Sequence, residues 1–108
     1  MSFVCYRIVK SADPAISEFM SQAELGKKPP PHLPKDVVAD WDGISLLETF
    51  DQAVAWQQRK KYLGSFIAEL ILPDWLAPYR KSADRFGHFV IKVSAADIFP
   101  HRGKVTSV

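Results

Sequence analysis

Two charged side chains stand inside apolar, strand-like runs, and they are the first places to look for chemistry. Arg7 lies in "FVCYRIV" (Phe3 to Val9), and Glu69 lies in "SFIAELIL" (Ser65 to Leu72). A carboxylate in so apolar a setting must be paired, hydrogen-bonded or protonated, because desolvating it alone costs on the order of several kcal/mol. The residues leave two explanations open. One is a structural ion pair of Glu69 with Arg7 or Lys92. The other is a cleft between splayed strands, in which an arginine on one wall meets an anionic ligand group and an acid or polar group on another meets the reacting centre. His88 follows Gly87 at a strand start, from which its ring points into a cleft or stays at the rim.

Common catalytic signatures are absent. There is no Walker loop, GxGxxG, GxSxG, His pair at i, i+4 or cysteine pair. The three scattered histidines support no metal site. Cys5 is the only cysteine, which excludes an internal disulfide and fits a reducing compartment. Fourteen Lys and Arg against 12 Asp and Glu leave a net charge of +2, a near balance that does not imply nucleic acid. At 108 residues the chain is one domain. Residues 1 to 10 carry no basic segment leading into an apolar core, and no apolar run approaches the length of a membrane span. The expectation is a soluble, cytoplasmic protein with no membrane partner.

The elements that must hold these residues follow from periodicity. Phe3 to Val9, Ser65 to Leu72 and His88 to Ser94 read as strands, the second apolar on both faces and therefore central. "GISLL" (Gly43 to Leu47) is an edge strand or the lead-in to a helix, and "KVTSV" (Lys104 to Val108) is a last edge strand. Asp13 as N-cap, Pro14 at the first helical position and Ile16, Phe19, Met20 and Ala23 in one stripe predict a helix over Pro14 to Leu25. Thr49 and Gln52 have capping-box spacing, so a second helix runs from Phe50 to Lys61 with cations matched to the dipole at its end. The four prolines in Lys27 to Asp40 predict an extended binding loop, or a cover folded back through Val37, Val38 and Trp41. The fold class is α+β: a strongly twisted, mainly antiparallel sheet with two principal covering helices.

This pattern resembles the ADP-ribosyltransferase-like fold, including its small toxin-type and RNA 2'-phosphotransferase relatives. "YRIV" looks like the family's first strand with its arginine, "GISLLETFDQAVAW" like its hydroxyl-bearing strand leading into a helix, and "GSFIAELILP" and "GHFVI" like later core strands. The resemblance implies an NAD or related nucleotide site. In it Arg7 binds the pyrophosphate or ribose, Ser45 or Thr49 holds the nicotinamide ribose, and Tyr6 or Trp41 stacks on a ring. Glu69 and His88 are the catalytic candidates, the carboxylate stabilising oxocarbenium character in the transferred sugar. A different class fits the same residues: a noncatalytic domain that contacts a protein partner, or a second copy of itself, through the Pro-rich loop and the cluster Trp75, Tyr79 and Arg80.

Overall fold

A computed structural model describes residues 1–108. Its strands in chain order are β1 (Ser2–Val9), β2 (Ile44–Leu47), β3 (Phe66–Pro73), β4 (His88–Ile91) and β5 (Arg102–Ser107). They form one twisted sheet in the order β4-β2-β1-β3-β5, and every neighbouring pair is antiparallel. The helices are α1 (Lys35–Ala39), α2 (Phe50–Arg59) and α3 (Ala95–Ile98), joined by short 3-10 turns. β4 stops at Ile91 rather than Ser94, because Ser94 caps α3 in a capping box with Asp97. β2 is interior rather than an edge, lying between β1 and β4.

Alternation along the strands sorts the side chains into two layers. Cys5, Val9, Ile44, Leu46, Leu70, Leu72, Phe89 and Ile91 build the main core with Phe19, Leu76 and Ile98 from the connections. On the opposite face Leu47 and Ile67 pack with Ala53 of α2, and Tyr6, Phe50 and Trp56 lie at the margin. α2 is too short to cover that whole face. The cross-strand partners Val4 and Ile71 stay 44% and 45% exposed, so β3 is enclosed on both sides only along part of its length.

α2 begins as its sequence requires, with Thr49 Oγ1 accepting from the Gln52 amide at 3.1 Å. The return half of the capping box is missing. Gln52 instead lies against Gly87, where its Oε1 is buried without a partner. The helix gives way to a 3-10 turn at Lys61–Leu63 and then to Gly64, which has a φ of 144°. A Cβ there would stand 2.0 Å from the Val9 carbonyl oxygen, so only glycine lets this turn lie against the end of β1.

The helix expected over Pro14 to Leu25 does not form. Only Ile16–Phe19 makes a 3-10 turn, and Met20 is already extended. Two carbonyls that a helix would need, those of Glu18 and Met20, accept from the Arg7 guanidinium instead. The Glu24 amide donates to Ser21 Oγ, while the Glu24 carboxylate crosses the molecule to cap the Ala95 amide at the start of α3. Tertiary bonds and the burial of Phe19 override the local period. The expected extended loop at Lys27 to Asp40 contains α1, and Val37 and Val38 remain exposed instead of covering the core.

Candidate functional site

The site is built around a break in the sheet. β1 and β3 pair along eight residues each, whereas β1 and β2 pair only at Tyr6↔Leu47. Carried on, that register would set Ile8 opposite Ser45, but there the strands have parted. Arg7 occupies the gap. Its Nη1 donates to the Ser45 carbonyl at 2.8 Å, its Nε to the Glu18 carbonyl at 2.7 Å and its Nη2 to the Met20 carbonyl at 3.3 Å. A guanidinium thus replaces ladder bonds that the parted strands cannot make. Burial pulls its pKa down to about 10 against the opposing pull of the Glu18 carboxylate, so it remains a cation at neutral pH.

The parted strands open a cleft of about 370 Å³ whose basic lining includes Arg7, Lys10 and Lys27, with Glu18 as its acid. The Glu18 carboxylate is already engaged by the Lys10 amide and the Ser11 hydroxyl. Ser45, Gln22 and His88 also line the cleft, and the same three residues border a second cavity of about 580 Å³. That second space is acidic, bounded by Asp36, Asp40 and Asp84. The two cavities meet at a waist of one hydroxyl, one amide and one imidazole.

His88 lies flat on Trp56, with ring centroids 4.8 Å apart and planes 7° apart. Burial lowers its pKa, and the nearby charge of Lys60 pushes the same way, while Asp84 and Asp40 pull it up. The stack therefore presents a neutral flat wall to the cleft at pH 7. On the far side of the larger cavity, Trp41 Nε1 donates to the Lys27 carbonyl at 2.7 Å. Lys81 pairs with Asp40 at 2.7 Å, and Lys92 with Asp42 at 3.1 Å. These bonds tie the Pro-rich segment down as a wall shared by both cavities.

The sequence candidates divide. Arg7, Ser45 and His88 come together in the cleft, and Trp41 joins them across the adjoining cavity. Tyr6, Thr49 and Glu69 do not. Tyr6 points to the opposite face from Arg7 and packs edge-on against Phe50, with centroids 5.9 Å apart. Thr49 is spent as the helix cap. The register sets Glu69, Tyr6, Leu47 and His88 in one row across four strands, so Glu69 stands three strand spacings, about 14 Å, from His88. Glu69 also forms no ion pair with Arg7 or Lys92, since it lies on the other face from Arg7 and Lys92 is held by Asp40, Asp42 and the Ala39 carbonyl. Arg80, expected to join Trp75 and Tyr79 as a binding anchor, instead lies over Phe89 with its Cζ 4.2 Å from the ring centroid and pairs with Glu48.

Sequence reasoning missed Lys10, Lys27, Gln22 and Trp56. Lys10 follows the end of β1, Gln22 and Lys27 lie in the connection between the Ile16–Phe19 turn and α1, and Trp56 read only as the border of a helix stripe. No group of three or more His, Cys, Asp or Glu side chains is gathered to hold a metal ion. Comparison with family models, with curated proteins and with solved structures finds no match, so the functional reading rests on this geometry alone.

Proposed function

We propose that the protein binds a phosphorylated nucleotide, with NAD the first to test, in the cleft where β1 and β2 part. The observation that carries this reading is Arg7 wedged in the split, with Lys10 and Lys27 on the same cleft. Three of the guanidinium's N–H groups donate to carbonyls, which leaves two of its five for a ligand. Its positive field acts on a phosphate either way. Ser45 and Gln22 at the waist supply hydrogen bonds for a sugar, and the Trp56–His88 stack supplies a flat apolar wall for a ring. The cleft volume lies within the range of small-molecule sites.

ADP-ribosyl transfer would place a carboxylate beside the reacting sugar. Glu69 does not line the cleft, so within this reading His88 is the only residue of the expected catalytic pair that meets the ligand. A second reading, a protein-docking domain, is favoured by the exposure of Trp75 and Tyr79, 57% and 51%. Calorimetric titration with NAD and ADP separates the two. Saturable binding that weakens at least tenfold in the exposed pair Lys10→Gln and Lys27→Gln is expected. Arg7→Lys, which keeps a charge but loses the planar fork, should weaken binding and lower stability together. No binding up to millimolar nucleotide by a folded protein would overturn the nucleotide reading and leave the docking one.

A further inference from the structure

A second cluster of cations lies outside the cleft, and its members come from different elements. Arg59 at the end of α2 stacks over Phe86, its Cζ 4.4 Å from the ring centroid, and also over Trp56 at 5.1 Å. Arg85, from the connection between β3 and β4, lies over the same Phe86 ring at 4.8 Å. Lys60 sits over Trp56 at 5.3 Å, and Lys61 follows it in the exposed turn that carries Tyr62. None of these four cations forms an ion pair, although Arg80, Lys81 and Lys92 elsewhere in the chain all do. Dipole matching at the end of α2 accounts for Arg59 and Lys60 but not for Arg85, which arrives from another segment.

We propose that this surface is a docking track for a single-stranded nucleic acid, whose phosphates lie along Arg85, Arg59, Lys60 and Lys61. A guanidinium stacked on an aromatic ring keeps its N–H groups directed outward in its own plane, already ordered for phosphate. Trp56 is covered by His88 and Phe86 lies under Arg59 and Arg85, but Tyr62 is 72% exposed, which leaves one ring free to stack on an unpaired base. An acidic peptide would use the cations and leave that ring idle, and a duplex keeps its bases out of its reach. The total charge of +2 does not reveal this track, because Asp40 and Asp42 are taken up by Lys81 and Lys92 while these four cations have no acid paired with them. The track adjoins the nucleotide cleft, which Tyr62 and Trp56 also line, but its four cations lie outside that lining, so it goes beyond the nucleotide reading and does not depend on it.

The test is fluorescence anisotropy of labelled 12-nucleotide oligo-U and oligo-dT, titrated with the whole protein between 20 and 200 mM salt, with a 12-base-pair duplex and polyglutamate as competitors. Four phosphate contacts give a slope of log K on log salt of about −2.8 for a single strand. The variant Lys61→Gln/Arg85→Gln, both positions exposed, should lower that slope by about half and weaken binding more than tenfold at 50 mM salt. Tyr62→Ala should weaken binding with the slope unchanged, a readout that simple charge attraction would not give. The competitors should be weaker than the single strands. No oligonucleotide binding at 20 mM salt, a slope unaltered in Lys61→Gln/Arg85→Gln, or equal competition by duplex or polyglutamate would overturn the proposal. Calorimetry with ADP on Lys61→Gln/Arg85→Gln reports the cleft separately: ADP affinity is expected to be unchanged, and its loss would show that the cations belong to the cleft and overturn the separate track.

Discussion

Arg7 shows how one residue sets the geometry around it. An arginine within an apolar strand has to find acceptors, and this one finds three backbone carbonyls, one on β2 and two on the segment after β1. Those bonds hold the strands apart and prevent a helix. Gly64 is the converse case, a position where any side chain is excluded. Gly64→Ala puts a Cβ against the Val9 carbonyl in a left-handed conformation, and a loss of more than about 2 kcal/mol in urea denaturation is expected. A stable Gly64→Ala protein would contradict the close approach. His88 carries the pH dependence. Its folded pKa lies below the ordinary value, so above pH ~6.5 it is neutral folded or unfolded and contributes nothing to the slope. As pH falls below that value the unfolded chain takes up the proton first, and stability should decline until the folded-state pKa is reached. His88→Gln should flatten the fall in urea midpoint between pH 7 and 5, and an identical slope in the variant would assign it to other groups. Arg7 was legible in the sequence because a buried cation must be satisfied. Glu69 was misread because the alternation of β3 does not tell how far α2 reaches over it.

Among the elements, β1, β3 and α2 were legible because their patterns agree with what packs against them. α2 has an apolar stripe, a threonine cap and a glycine stop, and each is used. The segment Pro14 to Leu25 has an equally good stripe, yet its carbonyls are worth more to Arg7 than to a helix. No local window contains that competition. β2 looked like an edge because it is short, but its position was decided by pairing with β4 on one side and a single bridge to β1 on the other. The outer edge of β4 is shielded in turn by Tyr79 to Lys81, where the Lys92 amide donates to the Tyr79 carbonyl and the Lys81 amide to the Val90 carbonyl. At the other edge β5 carries Arg102 and Lys104, charges that discourage pairing with a second sheet. The half-formed capping box gives an element-scale prediction. Gln52 leaves its Oε1 buried and unpaired, so Gln52→Met should raise stability by up to about 1 kcal/mol while Thr49 keeps the cap. Destabilisation by that change would mean that the amide has a bound partner in solution.

For the molecule as a whole, a radius of gyration of 13.1 Å is that of one domain, about 13 Å being usual at this length. The long connections are parts of that body and not linkers: the Pro-rich segment is tied by Trp41, Lys81 and Lys92. No helix is long and apolar enough to cross a membrane. The total charge of +2 was legible at once, but its separation into a basic cleft and an acidic cavity was not, because the separation is made by strands brought together from distant parts of the chain. Whether the split between β1 and β2 takes a ligand is read out by amide chemical-shift mapping during titration with ADP. The largest shifts are expected at Ile8 to Lys10, Ser45 and the Trp56 indole, with Val4, Glu69 and Ile71 unmoved. Shifts centred on Val4 and Ile71, or none at millimolar ADP, would contradict a ligand site in the split.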